Sequence, residues 1–153
     1  MDPTADTQDN QATQIVCDMT AAPDTARERI AEYRRLFAQA LIGREKTERG
    51  IRFRFRAAPD IDAWVRDLAA REKACCAFYS FTVTTVDDQV LWDATVVDDD
   101  LARALLAEFY ALPDTIGQET ETLLDRFTGL GLRVIADPAA ASPPAPGLEP
   151  SGP

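Results

Sequence analysis

Arg71-Glu72-Lys73-Ala74-Cys75-Cys76-Ala77-Phe78-Tyr79-Ser80-Phe81 decides the fold, because a helix ends there on two adjacent thiols and the chain runs straight into a strand. Upstream, Ile61, Val65, Leu68, Glu72, Cys75 and Cys76 recur at helical spacing. At about 100° per residue, Glu72 falls near the middle of the apolar arc, with Cys75 roughly 60° to one side and Cys76 roughly 40° to the other. A carboxylate thus stands where a leucine is expected. An ionised group in a core costs several kcal/mol unless compensated, so Glu72 must be protonated, have a partner, or line an opening to solvent.

Working outward, residues 14–20 alternate, with Ile15, Cys17 and Met19 on the inward face of a strand and Val16, Asp18 and Thr20 on the other. Thr20 or Asp24 caps the next helix, which tolerates Pro23 in its opening turn and carries Ile30, Tyr33, Phe37, Ala40 and Leu41 to about Ile42. Gly43 supplies its stop, and 44–50 reads as a polar connection. Ile51-Arg52-Phe53-Arg54-Phe55-Arg56 alternates strictly and gives the clearest strand signal. Its other face is a row of three arginines that could bind an anion, but the expected reading is the solvated side of a half-buried sheet, with a surplus of acidic side chains to pair with them.

The helix over 61–76, its buried stripe widened by Trp64, is followed by a strand over 78–86. A tight turn at Asp87-Asp88 and a second strand over 90–97 complete a hairpin. Asp98, Asp99 and Asp100 cap and charge a helix with Leu101, Leu105 and Phe109, closed by Pro113, so these aspartates need no metal to explain them. A short helix over 118–127, followed by Gly129 and Gly131, reads as part of an appendage, 113–137. Residues 1–13 read as a disordered lead-in and 138–153 as a disordered Pro/Ala-rich tail. The expected fold is a single α+β domain over 14–112 in the order β-α-β-α-β-β-α, with a mainly antiparallel sheet and helices on one face.

The 153 residues, 46% apolar, suffice for one domain with a proper core. No stretch is long and apolar enough for a membrane span and the N-terminus lacks signal-peptide character, so a soluble cytoplasmic protein without a membrane partner is expected. The net charge of −10 is uneven: residues 1–86 hold 13 acidic and 13 basic side chains, whereas 87–153 hold 13 acidic and 3 basic. Such a surface repels phosphate backbones and argues against a nucleic-acid partner. The sequence is silent on self-association. Histidine is absent, which excludes a serine or cysteine triad with a histidine base and all histidine-containing zinc sites.

The chemistry therefore rests on thiols and carboxylates. Cys75 and Cys76 are neighbours, about 3.8 Å apart at Cα, and do not easily bridge each other. In a cytoplasmic chain structural disulfides are not expected at all. The bland reading makes each cysteine a small buried hydrophobe. Together, one in mid-strand and two at the helix end beside the next strand, they form a candidate thiolate site. Two or three thiolates suit Hg(II), Cu(I) or As(III), while zinc would need Glu72 or Asp18 to complete its sphere. The expected metal set is Cys17, Cys75, Cys76 and Glu72, the expected partner is a metal ion or small molecule, and no organic cofactor is indicated.

The pattern of Cys17 in a strand, the alternating Ile51–Arg56 strand and Glu72-x-x-Cys75-Cys76-x-Phe78-x-x-Phe81 resembles a small bacterial domain found alone or behind a MerR-type, metal-responsive DNA-binding domain. The resemblance covers roughly residues 14–110 and implies sensing or sequestration of a thiophilic, heavy-metal ion such as mercury. This chain differs in lacking a DNA-binding segment and in adding an acidic C-terminal region. An alternative is an enzyme that cleaves a carbon–metal bond, similar to organomercurial lyases. There two thiolates hold the metal while Glu72, kept in its acid form by an apolar setting, delivers the proton, with Asp18 as a second candidate. A third reading makes the thiols incidental to an apolar ligand pocket lined by Trp64, Phe78, Tyr79, Phe81 and Trp92.

Overall fold

The computed structural model describes residues 14–135; the expected lead-in over 1–13 and tail over 138–153 lie outside the described residues. Ten elements follow one another: β1 (Val16–Asp18), α1 (Ala26–Ala40), β2 (Leu41–Lys46), β3 (Ile51–Arg56), α2 (Pro59–Cys75), β4 (Tyr79–Val86), β5 (Gln89–Val96), α3 (Asp100–Thr115), α4 (Thr120–Gly129) and β6 (Arg133–Ile135). The protein is a single α+β domain, as expected. An antiparallel sheet of order β2-β3-β5-β4 is its base, and β1 and β6 form a separate parallel pair.

Alternation in β3 puts Ile51, Phe53 and Phe55 on the buried face, opposite Ala94, Trp92 and Val90 of β5. Burial of these large side chains, worth roughly 1.5–3 kcal/mol each, is the main force holding the helices to the sheet. From α1, Phe37 packs on Phe53 and Phe55 and Tyr33 stacks on Trp92, while Phe109 of α3 meets Phe53 and Trp92 edge-on. Ile61, Val65 and Leu68 of α2 are wholly buried. On the other face Arg52 pairs with Asp93 (2.6 Å), Arg54 with Glu45 (3.0 Å), and Arg56 donates to the Gln39 carbonyl (3.0 Å). The arginine row is thus a paired sheet surface.

The structure departs from expectation at several junctions. Helix α1 stops at Ala40, and Leu41–Lys46 is an edge strand where a helix end and polar connection were expected. Gly43 therefore marks a register irregularity beside Arg54 instead of a helix stop. Gly50, at the β2–β3 turn, passes so close to the Ala94 carbonyl that any side chain would collide with the β5 backbone. The cap of α1 is Thr25, not Thr20 or Asp24: its hydroxyl accepts from the Glu28 amide and the Glu28 carboxylate accepts from the Thr25 amide. Pro113 lies inside α3, which runs on to Thr115.

Asp87 takes positive φ in the β4–β5 turn, and Asp99 caps α3 while Asp98 and Asp100 pair with Arg103. The segment after residue 112 packs onto the rest of the domain. Leu123 of α4 is fully buried, Leu132 is buried, and β6 supplies the hydrogen-bonding partner of β1, with Cys17 opposite Val134.

Candidate functional site

The site lies where the C-terminal end of α2 meets β1 and the first turns of α1. Helix α2 closes with the Cys76 amide donating to the Glu72 carbonyl (2.8 Å) and Lys73 reaching the Ala77 and Tyr79 carbonyls (3.0 and 2.7 Å). A cation at a helix C-terminus complements its dipole. The chain then turns, the Tyr79 amide donating to the Cys76 carbonyl (3.1 Å), and enters β4. This turn aims Cys76 at β1, whose alternation buries Cys17 and exposes Asp18.

Cys17 and Cys76 are joined as a disulfide, with Cα atoms 4.4 Å apart. This corrects the expectation of three free thiols and no disulfide: β1 crosses so close to the end of α2 that the two sulfurs meet within bonding distance. Cys75 stays free and buried, its Sγ 3.7 Å from that of Cys76. Burial pushes the Cys75 thiol above its ordinary value, and the Glu72 carboxylate adds to this against the opposing pull of Arg29.

Of the three fates open to Glu72, the structure shows a partner. Its Oε1 accepts from Arg29 Nη1 (3.0 Å) and from the Tyr33 hydroxyl (3.2 Å), while Oε2 faces Cys76 Sγ at 3.4 Å. Arg29 is only 5% exposed. Its fork grips both oxygens of Asp24 (2.7 and 2.8 Å) and its Nη1 also lies 3.6 Å from Cys75 Sγ. Burial works against the guanidinium charge, yet Asp24 and Glu72 more than offset it and raise Arg29 above its already high value. Tyr33 is pushed well up, by burial first and then by Glu72.

A second arginine extends the lattice. Arg71 bonds Asp24 (3.0 Å) and Glu32 (2.6 Å), and the Trp64 indole donates to Glu32 (2.7 Å). Arg29 was the residue overlooked in the sequence. Arg29, Tyr33, Leu36 and Ala40 fall on one helical face, so the periodicity that singled out Glu72 also places an arginine on the inner arc of α1.

Cys17, Cys76 and Glu72 bring ligand atoms within 4.8 Å of one another, a group that could hold a metal ion once the disulfide is opened. Asp18 is not part of this group. It is exposed, and its carboxylate is held below the ordinary range by the Thr20 hydroxyl (2.7 Å) and amide (3.0 Å). The three sulfurs, Glu72, Arg29 and Tyr33 all border a cavity of about 100 Å³ whose remaining wall is apolar, with Met19, Ile30, Phe78, Leu105, Phe109 and Leu132 among its residues. Of the aromatic residues expected to line a ligand pocket, Phe78 and Tyr79 do so here. Trp92 is buried in the sheet core, Phe81 borders a shallow groove with Arg66 and Lys73, and Trp64 faces Glu32. No described helix is long and apolar enough to cross a membrane.

The family models, the curated proteins and the solved structures contain no match to this chain.

Proposed function

We propose that the reduced protein binds a soft metal or metalloid ion, of the Hg(II), Cu(I) or As(III) kind, through Cys17 and Cys76, with Cys75 and Glu72 beside them. The observation that carries this reading is the convergence of the Cys17 and Cys76 sulfurs and a Glu72 oxygen within 4.8 Å on a cavity wall. For scale, tetrahedral zinc–thiolate bonds of about 2.3 Å separate two sulfurs by about 3.8 Å. Cys75 and Cys76 already stand at 3.7 Å. Cys17 and Cys76 reach that spacing once their bond is reduced, two equivalents of an external thiol becoming its disulfide as the pair takes up two protons.

Thiols bind metal only after losing their protons. Glu72 Oε2, 3.4 Å from Cys76 Sγ, is the nearest acceptor, and its partner Arg29 supplies positive charge beside Cys75. The alternative, protonolysis of a carbon–metal bond, asks Glu72 to donate a proton. Since Oε1 already accepts from Arg29 and Tyr33, the geometry favours binding over cleavage.

Titration of the reduced protein with Hg(II) tests the reading. One equivalent per chain should bind with a thiolate-to-metal ultraviolet band, and Cys17→Ser should weaken binding as much as Cys76→Ser. Unchanged affinity after replacement of all three cysteines would refute it.

A further inference from the structure

Bare ions do not need an apolar chamber, yet the sulfurs open on one. The cavity of about 100 Å³ has its polar groups clustered, Cys17, Cys76, Glu72, Arg29 and Tyr33 lying within contact of one another, and the rest of its lining is apolar, with side chains such as Met19, Leu105, Phe109 and Leu132. At roughly 30 Å³ for each small group, the space suits about three such groups, a bound arsenic among them.

Resting on the metal-binding reading above, we infer that the cargo is a trivalent monoorganoarsenical, R–As(OH)₂, held by Cys17 and Cys76 with a short alkyl group R in the apolar part of the cavity. The stoichiometry is balanced without charge. Two arsenic–oxygen bonds break and two arsenic–sulfur bonds form, and each thiol proton leaves on a departing hydroxyl as water; arsenic remains trivalent and its carbon bond stays intact. Such a ligand suits these thiols. Cys17 and Cys76 are both buried, and the chain has no histidine. R–As(OH)₂ carries its own proton acceptors. A neutral product also adds no charge beside the Arg29–Glu72 pair, 3.0 Å long. Because the arsenic keeps one carbon, two sulfurs satisfy it, and Cys75 is left against Arg29.

The test is titration of the reduced protein with methyl-, ethyl- and propylarsonous acid, with arsenite and Hg(II) in parallel, read by native mass spectrometry. Each organic adduct should weigh the arsenical less two waters. Affinity should rise about fourfold from methyl to ethyl, the transfer free energy of a methylene being ~0.8 kcal/mol. Ala26, partly buried at the cavity wall, allows the space to be filled from near the surface: Ala26→Leu should flatten the series and leave Hg(II) binding in place. Cys75→Ser should weaken arsenite, which takes three thiols, while leaving methylarsonous acid bound. A flat series in the unaltered protein, or equal loss of arsenite and methylarsonous acid in Cys75→Ser, would overturn the inference while the metal site stands. Failure of Hg(II) and arsenite alike to bind would instead overturn the metal site itself.

Discussion

Replacement of Arg29 by methionine tests whether the buried ion lattice holds the site together. The substitution keeps most of the apolar stem and removes the guanidinium, whose side chain is 6% exposed between Asp24 and Glu72, 14% and 16% exposed. Asp24 retains Arg71 at 3.0 Å, so Glu72 is the group left stranded, with only the Tyr33 hydroxyl at 3.2 Å. Removing one member of a buried pair costs about 3–5 kcal/mol, and one surviving partner for each carboxylate puts this case near the lower end. With a urea m-value of about 1.5 kcal/mol/M, the unfolding midpoint should fall by about 2 M. Adding Glu72→Gln should then recover at least ~1 kcal/mol, because the double variant no longer buries an unmatched charge. Urea denaturation followed by circular dichroism at pH 7 measures both. A single variant within ~0.5 kcal/mol of the parent, or a double variant less stable than the single, would show that Glu72 does not depend on Arg29.

Reduction of the Cys17–Cys76 bond removes a cross-link spanning 59 residues, and chain entropy sets its contribution at up to about 4 kcal/mol. The urea midpoint should drop on adding a phosphine reductant and not drop in Cys17→Ser; equal midpoints in the parent with and without reductant would contradict the cross-link. Acid should unfold the protein through the same lattice. Asp24 is lowered chiefly by its bond to Arg29, against burial; at Glu32 burial pulls upward but Arg71 and Trp64 prevail. Depressed folded-state values mean that this stability is complete above the ordinary 3.8 and 4.5 and is lost as pH falls through and below them. A thermal midpoint that stays flat between pH 5 and pH 3 would count against it. Leu123→Ala, which empties a fully buried position in α4, should cost about 2–5 kcal/mol; a loss under ~1 kcal/mol in urea would mean that α4 is dispensable to the core.

The features legible in the sequence were those with strong periodicity. Strict alternation from Ile51 to Arg56 located β3 and its inner face, and the run from Ile61 to Cys76 located α2 with its misplaced carboxylate. Gly43 misled because a glycine ends a helix and relieves a strand irregularity equally well, and the charged residues of β2 conceal an edge strand whose Glu45 pairs with Arg52 and Arg54 of β3. At the site, Glu72 and the gathering of Cys17 with Cys76 followed from spacing. Arg29 did not, because charged residues on α1 are common and only its contacts across 43 residues to Glu72 distinguish it from the solvated ones. The disulfide was hidden for a related reason: the sequence brings β1 near α2 but does not show how near. Asp18, adjacent to a cysteine in sequence, points away because strands alternate.

The parallel pairing of β1 with β6 sets the order in which this cluster can assemble. Cys75 and Cys76 lie at the end of a helix that forms next to its own strand, but Cys17 is positioned by Val134, 117 residues later. A nascent chain emerging from the ribosome therefore carries the vicinal pair long before their distant companion is fixed, and those sulfurs are open to adventitious partners until residue 135 has been added.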